Sequence, residues 1–250
     1  MIPILHNYSN SAGKTLNWDT SDNKESYEKN LANPKTRQIL DDLGFLYRPI
    51  EYKFNSHGFR TAEFDHQFDV VCFGCSFTMG TGIHAEDTWP ELLSALTGLE
   101  IANLGHAGSS NDTAFRFAKH YLKFLRPRYA IWLQTDMNRI ELLDEVSSTS
   151  LNIISTDTKN PCCNDYFIKT WFSSESNQYL NLQKNTLAFE HLCSSLNIKS
   201  IILTRDRLPS GPMFPAGLGR DLMHPGGAIY KTVAQQVKNI LTGPTADQSL

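Results

Sequence analysis

Short, mostly apolar segments recur along this chain, each followed by small polar residues and then by a stretch whose apolar positions repeat at helical spacing. The run at 70–73, Val-Val-Cys-Phe, is unbroken and enters a glycine, as a strand buried on both faces of a parallel sheet does. Segments 100–104, 129–135 and 198–204 read as three further strands. Between and after them, 88–96 (Trp89, Leu92, Leu93 and Leu96 on one face, Gly98 as stop), 113–125 (ended by Arg126-Pro127), 180–196 and 228–241 read as amphipathic helices. Strands alternating with helices predict an α/β domain whose mostly parallel sheet is covered on both faces.

The flanks are less regular. Residues 1–50 are expected to form an N-terminal arm, with 1–30 polar and irregular or partly helical, anchored by Trp18 and Tyr27, and a short helix over 35–43 that begins after Asn33-Pro34 and stops at Gly44. Segment 51–54 looks extended and 55–58 is a turn. Residues 51–243 make the domain, 145–176 reads as an inserted, lid-like loop, 206–219 as a glycine- and proline-rich loop, and 244–250 as a loose tail.

Composition narrows the class. A chain of 250 residues with 40% hydrophobic content can bury a full core. Its 23 basic and 26 acidic residues show no basic stripe, so nucleic acid is not expected as a partner. Five cysteines, with Cys162 and Cys163 adjacent, do not form a disulfide framework and suggest a reducing compartment. With no signal peptide legible at the start and no run near the roughly 20 apolar residues that span a bilayer, a cytoplasmic protein without a membrane span is expected.

The chemistry centres on 68–82. Gly74 permits a sharp turn that leaves Ser76 just past the carboxyl end of a central strand, where open α/β sheets keep their ligands. A phosphate-binding loop would need a lysine that Gly80-Thr81-Gly82 lacks, and the same glycines do not continue as a dinucleotide fingerprint. Cys72 and Cys75 lie an odd number of residues apart, so on a strand they would face opposite ways, against a redox pair. A serine nucleophile needs a base and a group to orient it. Of the eight histidines, His224 has the best context, three residues after Asp221 and just ahead of the last helix; the competing reading is that both residues merely cap that helix. The Ser76 amide and the amide of Gly108 are candidate oxyanion donors. Gly105 and Gly108 also fit a turn into a helix capped by Ser110 or Asn111.

Three blocks in order, Gly74-Cys-Ser-Phe-Thr78, Asn103-Leu-Gly-His-Ala-Gly108 and Asp221-Leu-Met-His-Pro225, together resemble the SGNH (GDSL-type) hydrolases over roughly 50–241, and 52–60 resembles the lead-in of bacterial and phage members. The resemblance implies a flavodoxin-like three-layer α/β/α sandwich and a serine esterase acting through an acyl-serine, with Ser76 as nucleophile, His224 as base, Asp221 as orienter, and the amides of Ser76 and Gly108 plus an asparagine side chain as oxyanion donors. It calls for no metal and no cofactor. The expected substrate is a small acyl ester, such as an O-acetyl group on a glycan. An O-acyltransferase using the same site, or a silent glycan-binding or structural module, stands beside it. Two departures stand out. Cys75 replaces the usual aspartate, and the family's Gly-x-Asn-Asp block is replaced by Gln134-Thr-Asp-Met-Asn-Arg139, which leaves Asn138, or alternatively Asn111, as the oxyanion asparagine. Arg139 and Glu141 read as a surface ion pair ahead of a role in binding a polar substrate.

Overall fold

The computed structural model describes residues 11–144, 149–153, 165–204 and 217–243. Strands β1 (Thr15–Leu16) and β2 (Tyr52–Lys53) form a small antiparallel ribbon, with helices α1 (Lys24–Ala32) and α2 (Pro34–Asp42) between them. The central elements follow as β3 (Val70–Gly74), α3 (Ser76–Met79), α4 (Trp89–Thr97), β4 (Ile101–Gly105), α5 (Asn111–Leu125) and β5 (Tyr129–Leu133). A hairpin, β6 (Ile140–Asp144) with β7 (Thr149–Ile153), precedes α6 (Asp165–Ser173), α7 (Glu175–Ser195), β8 (Lys199–Leu203) and α8 (Gly227–Thr242).

The central sheet has four strands in the order β4-β3-β5-β8, all parallel. Alternate side chains of β3 go to opposite faces, which makes two cores. Val71 and Phe73 join Ala102, Leu104, Ala130 and Trp132 against Phe117 and Leu122 of α5 and Phe189 and Cys193 of α7. Val70 and Cys72 join Ile101, Ile131 and Leu133 against Trp89 and Leu93 of α4 and Tyr230, Val233 and Val237 of α8. The fold is a three-layer α/β/α sandwich with a flavodoxin-like, wholly parallel sheet. Each such aliphatic or phenyl side chain contributes about 1.5–3 kcal/mol when fully buried, which is why continuous apolar strands choose the middle layer.

The helices begin and stop for local reasons. Asn33 caps α2 by accepting from the Lys35 amide, with Pro34 in the first turn; Ser110 caps α5 by accepting from the Thr113 amide. Helix α7 starts at Glu175, five residues before the sequence period shows it, after Ser174, which accepts from the Asn177 amide.

Region 145–176 departs from the expected loop: among its described residues are strand β7 and helix α6. Its pattern is too short and polar to show either periodicity, and the segment is held by tertiary contacts. Asn152 accepts from the Ser110 amide (3.0 Å), Ile153 and Ile168 are buried, and the Trp171 indole donates to the Asn138 carbonyl. Residues 145–148 and 154–164, most of the 206–219 loop, 1–10 and the 244–250 tail lie outside the described residues.

The arm is packed onto the domain. Leu16, Tyr27 and Leu31 pack on a third cluster with Leu40, Phe45, Ile50, Tyr52 and Phe54, which continues to Met79 and Ala107 beside the carboxyl ends of β3 and β4.

Candidate active site

Gly74 ends β3 with φ +155°, and a Cβ there would come 2.3 Å from Thr78 Oγ1 and 2.9 Å from the Leu133 carbonyl, so only glycine lets the chain turn between β3, β5 and α3. Gly105, at the end of β4, fits under α3 in the same way, since a Cβ would lie 2.4 Å from the Met79 nitrogen. These two absences of side chain place Ser76 at the start of α3, buried but for its outer edge.

His224 reaches Ser76 from the far end of the chain. The Ser76 hydroxyl donates to His224 Nε2 (2.8 Å), and His224 Nδ1 donates to Asp221 Oδ2 (2.6 Å). An ionised carboxylate only accepts, so the proton sits on Nδ1 and Nε2 is left with its lone pair toward the serine. Burial works against the Asp221 carboxylate, but the hydrogen bond and charge of His224, with the Ser21 hydroxyl, hold its pKa below the usual carboxylate range. The competing role for this pair, capping the last helix, is not the one the structure shows: the N-cap of α8 is Gly226, with no side-chain cap.

The loop after β4 is bound to the end of β3. The His106 amide and the Ser109 hydroxyl both donate to the Gly74 carbonyl (3.0 and 3.2 Å). Gly108 has φ +74° with open space where a side chain would be, and neither its amide nor that of Ser76 has an acceptor among the described residues.

The two candidate asparagines differ. Asn111 is buried and its carboxamide closes a double bond to the loop after β5, donating to the Thr135 carbonyl (3.1 Å) and accepting from the Thr135 amide (3.0 Å). Asn138 has a buried Oδ1 with no partner among the described residues. Asp136 lies 3.4 Å from Arg139, which offsets its charge, and Glu141 forms a two-point ion pair with Arg116 (2.8 and 2.7 Å). With a side chain only 4% exposed, Glu141 is not a surface residue.

Cys72 faces the α4/α8 core, and burial pushes its thiol well above the ordinary range. Cys75 is buried beside Ser76, its sulfur 3.9 Å from the hydroxyl. Both are free thiols.

Several side chains around this site were not singled out by the sequence. Arg60 is buried and donates to the carbonyls of Gly80 (2.7 Å), Ile83 (2.9 Å) and Glu51 (3.0 Å), tying down the chain that follows α3. The Tyr52 hydroxyl accepts from the Gly82 amide (2.8 Å) and donates to Asp22 Oδ2 (2.6 Å). Burial, then the Asp22 charge, pushes its pKa far up, so it remains a donor. Asp22 takes Arg220 Nε (2.9 Å) and Nη2 (2.7 Å), and the Gly82 carbonyl accepts from the Arg220 amide (2.6 Å). The 52–60 lead-in and the place of Arg220 beside Asp221 were the available hints; Asp22, in a polar arm, had none.

No family model matches the chain, and no curated protein does. Among solved structures, it is similar to a lipolytic protein of the G-D-S-L family from Desulfitobacterium hafniense, at 19% identity over 69% of this chain and 98% of that one, with a TM-score of 0.36. It is similar also to an acetyl xylan esterase from the rumen bacterium Butyrivibrio proteoclasticus, at 10% identity over 71% of this chain and 64% of that one, with a TM-score of 0.44. A third similar structure is an active-site mutant of a family two carbohydrate esterase from Clostridium thermocellum, at 8% identity over 72% of this chain and 65% of that one, with a TM-score of 0.36.

Proposed function

We propose that this protein is a serine esterase of the SGNH type, hydrolysing a small acyl ester, with O-acetyl groups on a glycan as the substrate class. The observation that carries this reading is the unbroken line Ser76 Oγ to His224 Nε2 (2.8 Å) and His224 Nδ1 to Asp221 Oδ2 (2.6 Å) at the carboxyl edge of a parallel sheet. The order of the three sequence blocks supports it.

In this reading, Ser76 Oγ attacks the ester carbonyl carbon while Nε2 takes its proton. The carbonyl π pair moves to oxygen, and the Ser76 and Gly108 amides, which have no acceptor among the described residues, donate to that oxyanion. The tetrahedral centre collapses as the imidazolium returns its proton to the departing alcohol oxygen, leaving acyl-Ser76. Water then attacks with Nε2 as base, and collapse of the second tetrahedral centre releases the carboxylic acid and restores the serine. Asp221 keeps Nδ1 protonated and stabilises the imidazolium at both stages. Asn138, whose buried Oδ1 has no partner among the described residues, serves in this reading as the third oxyanion donor through its Nδ2; Asn111 is a structural strut.

Purified protein is expected to hydrolyse p-nitrophenyl acetate and to gain one fluorophosphonate adduct on Ser76, read by intact mass and peptide mapping. Ser76→Ala should lose both. Turnover at the wild-type rate by Ser76→Ala, or no adduct on Ser76 in the folded protein, would overturn the assignment.

A further inference from the structure

Among the described residues Asp221 has four donors, and one of them comes from the opposite end of the chain. Oδ1 accepts the amides of Met223 (3.1 Å) and His224 (3.0 Å), which hold the carboxylate to its own turn. Oδ2 accepts His224 Nδ1 (2.6 Å) and the hydroxyl of Ser21 (2.7 Å), and the Ser21 oxygen lies 3.4 Å from Nδ1 itself. Ser21 therefore sits against the edge of the Asp221–His224 pair opposite to Ser76.

The adjacent residue locks it there. Asp22 is buried and paired with Arg220, the neighbour of Asp221, so residues 21 and 22 bind 221 and 220 as two consecutive rungs. Arg220 Nη2 also donates to the Asn17 carbonyl (2.7 Å), and its guanidinium lies 4.0 Å from the centre of the Trp18 ring. The arm turns between these rungs through reciprocal bonds of Asp19 and Asp22 (2.9 and 3.1 Å), with Thr20 at φ +53°, a conformation costly for a β-branched residue and kept only when its surroundings enforce it.

We propose that Ser21 is a positioning residue of the Ser76–His224–Asp221 site, and that the arm segment 17–22 clasps Arg220 to hold it there. The inference rests on the esterase reading for its kinetic consequences only. With the Ser21 hydroxyl in place, Oδ2 is fixed in the line of Nδ1, and the imidazole is fixed in the line of the Ser76 proton. Without it, the carboxylate keeps its two amide donors on Oδ1 but is free to swing Oδ2, and more of its charge falls on the imidazole. Ser21 has no proton to give in the reaction, so its loss should act on kcat and leave ester binding alone.

Ser21→Ala is expected to lower kcat for p-nitrophenyl acetate roughly 10-fold, the scale of a small misalignment of a reacting pair, with KM within about 2-fold. Ser21→Thr, which keeps the hydroxyl, should restore kcat to within about 2-fold, and Ser21→Cys, close in volume but a weak donor, should resemble alanine. The low-field NMR resonance of the His224 Nδ1 proton gives a second readout that needs no turnover: it should shift and exchange faster with water in Ser21→Ala than in the wild type. A kcat unchanged in Ser21→Ala, a loss that threonine does not rescue, or an Nδ1 resonance unmoved by the substitution would overturn the proposal. Should the wild-type protein neither turn over ester nor react with fluorophosphonate, the esterase reading falls and the NMR comparison alone decides the role of Ser21. Should Ser21→Ala fail to fold, judged by circular dichroism, Ser21→Cys against Ser21→Thr carries the same comparison.

Discussion

Asp22→Asn should detach the arm more than any other single change of one atom. Asp22 is 1% exposed and takes both Arg220 bonds and the Tyr52 hydroxyl. The substitution keeps shape and one acceptor but leaves the Arg220 guanidinium buried without a counter-charge. Removing one partner of a buried pair costs about 3–5 kcal/mol, because the survivor stays desolvated. The Trp18 ring and the Asn17 carbonyl stay with Arg220 in both forms and so cancel, and the expected loss is about 3–5 kcal/mol. A fold stabilised by about 5–15 kcal/mol would feel this at once. Urea unfolding followed by tryptophan fluorescence should show a lower midpoint. Hydrogen exchange should show earlier opening at Gly13 and Phe54, whose amides join the arm to residues 54 and 55 just after β2, than at 70–74. Adding Arg220→Met to Asp22→Asn removes the stranded charge and should recover part of the loss. A loss below about 1 kcal/mol, or a double variant less stable than Asp22→Asn, would refute the view that the buried charge pair holds the arm.

Two further outcomes follow from the same geometry. Asp19 is pushed up to about 6, chiefly by burial and with Asp22 adding to it against Arg60, so its ionised form is disfavoured in the fold. The penalty is absent below about pH 3, where folded and unfolded chains both carry the proton, grows as pH rises from about 4 toward 6 and is complete above it; Asp19→Asn should therefore stabilise by roughly 1–3 kcal/mol at pH 7.5 and by much less at pH 4, and equal gains at both pH values would contradict it. Asn138→Ala should lower kcat about 100-fold at near wild-type stability, whereas Asn111→Ala should cost about 2–4 kcal/mol of stability by orphaning both backbone groups of Thr135; an exchange of these two phenotypes, read by kinetics and urea melts, would transfer the oxyanion role to Asn111.

What could be read before any coordinates follows from how local its cause is. The strands at 70–73, 100–104, 129–135 and 198–204 and the helices between them are visible because burial on two faces or one face writes a period into neighbouring residues. All four pair in one parallel sheet, with boundaries shifted by a residue or two. Ser76, Asp221 and His224 could be singled out for a similar reason: strand-end glycines and a short Asp-x-x-His spacing are local marks, and the structure brings the three side chains together. Strand β7 and helix α6 within 145–176 escaped because their buried positions, Ile153 and Ile168, find their partners only in the folded molecule.

The amino-acid order alone thus determined the layers, the edge of the sheet where polar loops gather and the three side chains worth attention there. Only the tertiary structure decided which asparagine is spent on a backbone strut, that Arg60 and Tyr52 secure the chain after α3, and that Ser21 and Asp22 join Asp221 and Arg220 across about 200 positions. Periodicity reports what a residue does with its neighbours three or four places away. A hydroxyl and a carboxylate at opposite ends of a chain have no such record, because their meeting is paid for by the packing of everything between them.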